Sequence, residues 1–160
     1  MKEINEISTN DAIYIAGLFD GEGCISLTKC SRIKERYKTP TFTLRARIRM
    51  TDSNIINWLY ITIGGNYYGE RNPTSRRIKS PNGKPYFEWG VAGRNAIEFL
   101  KQIYPYLKVK HLQAEIAFKF GNTIKYCYGK LPNDIVNQRA KLRSEMISLN
   151  HRGLSTITTK

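Results

Sequence analysis

Residues 41–50 alternate without a break: Phe42, Leu44, Ala46, Ile48 and Met50 are apolar, and Thr41, Thr43, Arg45, Arg47 and Arg49 are polar. A period of two over ten residues is a β-strand with one face on a core and the other open. An open face restricts the whole domain. Parallel sheets are covered on both sides, so this strand belongs to an antiparallel sheet layered on one side only. Three arginines in one row repel each other in the free protein. They suit phosphates or guanine edges, which arginine meets with two parallel N–H donors. A merely solvated face would mix charge signs.

The rest of the chain follows that charge. Twenty-six Lys and Arg against thirteen Asp and Glu give a formal +13 in 160 residues, with a pI near 9.8, the balance of a nucleic-acid binder. Ribosomal and membrane-surface proteins share it, so placement decides more than the sum. Lys29, Arg32, Lys34, Arg36, Lys38, Arg45, Arg47 and Arg49 crowd into 21 residues that hold one acid, Glu35. The connection 29–40 is basic and poor in apolar residues, as a loop reaching along a duplex would be.

Residues 24–28 read as a strand with Ile25 and Leu27 inward and Ser26 and Thr28 outward, continuing the surface of Arg45. Residues 66–72 and 85–92 read as a second hairpin, with a turn at Pro81-Asn82-Gly83 and a connection rich in Arg71, Arg76, Arg77, Lys79 and Lys84. In its second strand Phe87, Trp89 and Val91 point to the core, and Tyr86 and Glu88 to the nucleic acid. The faces taken by Tyr67 and Tyr68 stay open, because glycines hide the alternation. Helical spacing marks 52–63, stopped by Gly64-Gly65, and also 94–104, 112–120 and 134–149. The order is one α+β domain over residues 1–150, an antiparallel four-stranded sheet with helices on one face and extra C-terminal helices. Residues 151–160 read as a tail.

The run Ile15-Ala16-Gly17-Leu18-Phe19-Asp20-Gly21-Glu22-Gly23 ends a helix in two acids. Acids at a helix C-terminus are disfavoured by about 0.3–1 kcal/mol each, so something positive should compensate. With Gly21 and Gly23 admitting a backbone carbonyl, a hard divalent cation with oxygen ligands is the natural choice. Upstream, Ala12, Ala16 and Asp20 lie on one helical row and Ile13, Gly17 and Gly21 on the next, a stripe almost bare of side chain. A second copy packed there would set two acid clusters side by side about a two-fold axis.

This run resembles the LAGLIDADG motif of the homing endonucleases, which Ala16, Gly17, Leu18, Asp20 and Gly23 match and from which Ile15, Phe19, Gly21 and Glu22 depart. The element order also resembles that family's α-β-β-α-β-β-α core, extending the likeness to about 140 residues. The resemblance implies an intron-encoded, site-specific double-strand DNA endonuclease of the single-motif, homodimeric type. Glu22 stands where the family's metal-binding catalytic acid sits, usually Asp. Asp52 stands where the family has a residue that organises water, Gln in the usual single-motif example. It could position that water or cap the following helix, and the roles are compatible. Lys110, in the segment Pro105-Tyr106-Leu107-Lys108-Val109-Lys110, matches the family's basic residue near the active site, though Lys108 shares its side of the chain. The Gly21 carbonyl joins Glu22 on Mg²⁺. Mn²⁺ is expected to substitute, and Ca²⁺ to bind without efficient cleavage. Asp20 is assigned to the helix end and, with Ala12, Ile13, Ala16 and Gly17, to the dimer interface.

Other chemistries find no support. Cys24, Cys30 and Cys127 lack paired spacing and only two histidines accompany them, so neither zinc nor a redox motif is indicated. Unpaired cysteines, a polar N-terminus without a signal peptide and no apolar run of ~18 residues imply an intracellular, reducing compartment with access to DNA, a prokaryotic cytoplasm or an organelle, and no membrane. Double-stranded DNA is the expected partner; RNA is possible but not indicated. The competing reading is a module that binds without cutting, such as a splicing maturase or a DNA-binding regulator. A ribosome-associated basic protein would not explain two acids among glycines on a bare helix.

Overall fold

The computed structural model describes residues 2–30, 40–71, 84–124 and 131–151. Five strands and five α-helices follow in the order β1 (Lys2–Ile4), α1 (Thr9–Glu22), β2 (Gly23–Cys30), β3 (Thr41–Met50), α2 (Ser53–Ile63), β4 (Gly64–Arg71), β5 (Tyr86–Ala92), α3 (Arg94–Ile103), α4 (His111–Gly121) and α5 (Asn133–His151). The sheet runs β1-β4-β5-β3-β2 and is antiparallel throughout. The expected four strands are present. The fifth, β1, adds an edge by pairing Lys2 with Gly65 and Ile4 with Gly64; three residues give too short a pattern to read as a strand.

The alternation of β3 becomes its burial. Phe42, Leu44, Ala46 and Ile48 are buried, whereas Thr41, Arg45 and Arg49 are exposed. Across the strands the core face continues as Ile25 and Leu27 on β2 and Trp89 and Val91 on β5. Helix α1 lays Ala12, Ile15, Ala16 and Phe19 on that face. The Phe99 ring of α3 meets Phe19 edge-on at 5.4 Å and Trp89 at 4.8 Å, an arrangement aromatic quadrupoles favour. Trp89 donates its indole N–H to the Gly64 carbonyl at 2.8 Å, so its one polar atom is satisfied inside the core. Gly64 and Gly65 turn the chain from α2 into β4 at φ 92° and 82°, where a side chain would be strained.

Two contacts anchor the C-terminal helices. Arg139 of α5 is buried, donates to the Thr123 hydroxyl at 2.9 Å and carbonyl at 2.7 Å, and lies over the Phe120 ring. At the other end of α5, Asn150 donates to the Ile25 carbonyl of β2 at 3.0 Å.

The junction from α1 to β2 is closely packed. A Cβ on Gly23 would stand 2.4 Å from the Phe19 carbonyl oxygen and 2.5 Å from its ring. The glycine is needed for close approach, its φ of −78° being ordinary. Gly23→Ala should therefore lower the free energy of unfolding by about 1–3 kcal/mol, the usual cost of overpacking, in urea titrations followed by circular dichroism.

Candidate nucleic-acid interface and acidic centre

Strand register builds the open face row by row. Ser26 pairs with Arg45, Thr28 with Thr43 and Cys24 with Arg47. On the other side Arg45 pairs with Ala92, Arg47 with Gly90 and Arg49 with Glu88, while Asn66 and Tyr68 of β4 oppose Gly90 and Glu88. Ser26, Thr28, Thr41, Thr43, Arg45, Arg47, Arg49 and Tyr86 thus share one surface, and Arg71, opposite Tyr86, extends it with its guanidinium over the Tyr68 ring at 4.9 Å. The open question about the tyrosines is answered by the same register. Tyr68 joins the open face, and Tyr67, opposite Trp89, turns to the helix side near Tyr60. Arg32, Lys34, Arg36, Lys38, Arg76, Arg77 and Lys79, with the 81–83 turn, lie outside the described residues.

Glu88 departs from expectation. It is on the open face, as expected, but only 9% exposed, beneath Arg49, whose Nε donates to its Oε2. Its register opposite Arg49 makes this pairing, so one of the three arginines is already neutralised within the protein.

At the end of α1 the two acids part company. The Asp20 carboxylate accepts three successive peptide N–H groups, from Lys108 at 2.7 Å, Val109 at 3.1 Å and Lys110 at 2.9 Å. The Lys110 ammonium donates to the Asp20 carbonyl, placing a cation where the helix dipole is negative. Burial alone would raise the Asp20 carboxyl. The three peptide donors, helped by the Lys110 charge, outweigh it and hold the group below its ordinary 3.8. The expected compensation thus exists for Asp20, but it is internal and needs no metal. Lys110, not Lys108, reaches the acidic end, because residues 108–110 wrap Asp20 and do not form a strand.

Glu22 is exposed and has no hydrogen-bond or ion-pair partner among the described residues. Its carboxylate and the neighbouring Gly21 carbonyl are oxygen donors of the kind Mg²⁺ accepts. Among the described residues no three His, Cys, Asp or Glu side chains gather to hold a metal. The described residues of one copy therefore offer only part of a shell of about six ligands. Asp52 caps α2 through one oxygen, Oδ1, which accepts from Asn54 N at 2.8 Å and Ile55 N at 3.4 Å. Its Oδ2 has no partner among the described residues. Because Gly23 pairs with Ile48, the α1 terminus, Arg49 and the strand exit toward Asp52 occupy one end of the sheet. Glu22, Asp52 and Lys110 are thereby gathered at that end.

The bare stripe of α1 also needs correction. Ala12 and Ala16 are buried against the chain's own core, at 4% and 0% exposure, and Asp20 is engaged as above. Only the row Ile13, Gly17 and Gly21 faces outward. Alanines fit either a core or a close helix contact, so spacing alone could not separate the rows. A Cβ on Gly17 or Gly21 would meet nothing within 4 Å. Beside this row Tyr14 is as exposed as Ile13, at 51%, and its ring meets Trp58 of α2 edge-on at 5.5 Å; on α2 itself Ile61 is 61% exposed. Helical spacing in 52–63 picks out Ile55, Ile56, Leu59 and Ile63 and leaves Trp58 and Ile61 outside that row. The surplus of apolar residues there was the available signal.

No protein-family model and no curated protein sequence matches the chain. Solved structures do match. The homing endonuclease I-CvuI, in complex with the I-CreI target, superposes with a TM-score of 0.69 over 88% of this chain and 82% of that one, at 19% identity. The archaeal intron-encoded homing endonuclease I-Vdi141I, complexed with DNA, gives 0.69 over 90% and 86%, at 17% identity. The LAGLIDADG meganuclease I-AabMI, bound to uncleaved DNA, gives 0.54 over 88% of this chain and 43% of that one, at 17% identity. The fold is that of the LAGLIDADG homing endonucleases. Among the described residues no helix is long and apolar enough to cross a membrane.

The Asp20 clamp has a pH signature. A carboxyl lowered from 3.8 adds stability that is present above 3.8 and is lost as pH falls through its lower folded value. Asp20→Asn should cost about 1–3 kcal/mol at pH 7. That difference from the unaltered protein should shrink in urea titrations below pH 3.8.

Proposed function

We propose that the chain is a homing endonuclease of the LAGLIDADG family, which binds a long pseudo-palindromic DNA duplex as a homodimer and hydrolyses a phosphodiester in each strand with a divalent metal. One observation carries the reading. An exposed carboxylate, Glu22, without a partner among the described residues, ends a helix whose outward row is bare at Gly17 and Gly21. A mid-helix glycine such as Gly17 costs about 0.5–1 kcal/mol relative to alanine, and nothing among the described residues requires Gly17 or Gly21. A second α1 packed on that row explains the glycines and brings a second Glu22 beside the first. Ile13, Tyr14, Trp58 and Ile61 add apolar surface, which a bare stripe alone would lack, toward the roughly 1,200–2,000 Å² that stable interfaces bury.

The roles follow from the groups present. Glu22 and the Gly21 carbonyl hold the cation, which when bound supplies positive charge at the phosphate and acidifies a water. Mg²⁺ is the expected ion, with Mn²⁺ able to replace it and Ca²⁺ binding without efficient cleavage. Asp52 anchors its carboxylate on the α2 cap through Oδ1, leaving Oδ2 to orient the attacking water. Lys110 stabilises the negative charge that develops on the phosphate. Asp20 organises the segment carrying Lys110. I-CvuI, of related fold, was crystallised on DNA with 2 mM Mg, the DNA uncleaved, and with 2 mM Ca, which supports duplex binding with a divalent metal at hand.

Cleavage of a randomised duplex library with Mg²⁺ tests the proposal. The unaltered protein should cut one pseudo-palindromic site. Glu22→Gln should lose cleavage while retaining the same duplex, and cleavage persisting in that variant would remove Glu22 from the centre. For assembly, Gly17→Leu should convert a sedimenting dimer into a folded monomer. A dimer unaffected by the leucine would place the interface elsewhere.

A further inference from the structure

Arg49 differs from the other arginines of its row. It lies directly across from Glu88 on β5, its Nε donates to the Glu88 carboxylate, and its guanidinium stands 5.4 Å from the centre of the Tyr86 ring. The carboxylate side chain is 11% exposed and the arginine 41%, so the acid lies beneath and the guanidinium at the surface. Glu88 and Tyr86 together fix the guanidinium from below and from the flank. No such support is found for Arg45 and Arg47 among the described residues.

We propose that Arg49 is a preorganised guanine reader, with Glu88 as its positioning residue. This rests on the reading of the open sheet as a DNA-binding face. Electrostatics separates a base from a phosphate as the target. An arginine already neutralised by a buried carboxylate gains little from a phosphate, and the carboxylate repels that phosphate. A guanine edge is uncharged and presents two acceptors, O6 and N7, in the major groove. With Nε occupied, the two terminal nitrogens remain for end-on, bidentate contact, which demands a fixed orientation more than a net charge. Arg45 and Arg47 keep their full charge for the backbone, where register matters more than base identity.

Register also places the guanine. Arg49 follows Ile48, which pairs with Gly23 beside Glu22, whereas Arg45 lies four residues further along β3, roughly 13 Å at strand rise. The guanine is therefore the innermost arginine-read position of each half-site, next to the cut.

Selection of bound duplexes from a randomised library tests this with the full-length protein, Arg49→Lys and Glu88→Gln, each checked for unchanged thermal unfolding. The unaltered protein should select guanine at one symmetric pair of inner positions. Arg49→Lys, which keeps the charge but loses the fork, should reduce that preference by about ten-fold or more. Glu88→Gln should weaken the same preference while raising affinity for unrelated duplex, because it frees a positive charge; a purely structural role would not produce that opposite pair of changes. Guanine retained at full strength in Arg49→Lys, or Glu88→Gln leaving both quantities unchanged, overturns the assignment. If the unaltered protein retains no duplex, the DNA-binding reading fails and the inference fails with it, a result distinct from either variant outcome.

Discussion

Three peptide N–H groups converge on the Asp20 carboxylate, and the arrangement of the acidic centre depends on that convergence. A helix C-terminus is electronegative and repels the two acids placed there. The clamp removes the conflict for one of them by using consecutive backbone donors, and the Lys110 ammonium covers the carbonyl behind it. The consequence is mechanical as well as electrostatic. The terminus of α1 is tied to the segment entering α4, so Glu22, two residues on, projects from a fixed point.

The sheet contributes the second half of the arrangement. Its core face is sealed by α1, α2 and α3, and its other face is left with arginines, threonines and tyrosines in register. The same β2–β3 register that aligns Ser26 with Arg45 also brings Gly23 to Ile48. The open arginine face and the acidic centre are thus held in a fixed relation by strand pairing. A shift of one residue would exchange the arginines for the core side chains, so the apolar face of β3 fixes both.

Periodicity made much of this legible. The bounds of β3, the helix after it, the second hairpin and the open arginine row all follow from spacing, because burial on one side is what spacing encodes. Properties that depend on which neighbour a side chain meets were not legible. Ala12 and Ala16 share small size with Gly17, yet they pack inward, and no one-dimensional pattern distinguishes the two uses. Asp20 is satisfied by residues 88 to 90 positions away, and Glu88 by Arg49 across 39. Such pairings exist only once the sheet is assembled. The Asp52 cap was visible because it is local, three residues or fewer from its partners.

The central claim is that one chain holds half of a two-acid centre. Its most direct test is a mixed dimer, formed from the unaltered protein and Glu22→Gln and isolated by two different affinity tags, acting with Mg²⁺ on a supercoiled plasmid that carries the selected site. If each Glu22 serves one strand, the mixed dimer nicks the plasmid and the open circle accumulates without linear product. Linear product at the rate of the unaltered protein would contradict the account, because one Glu22 would then suffice for both strands.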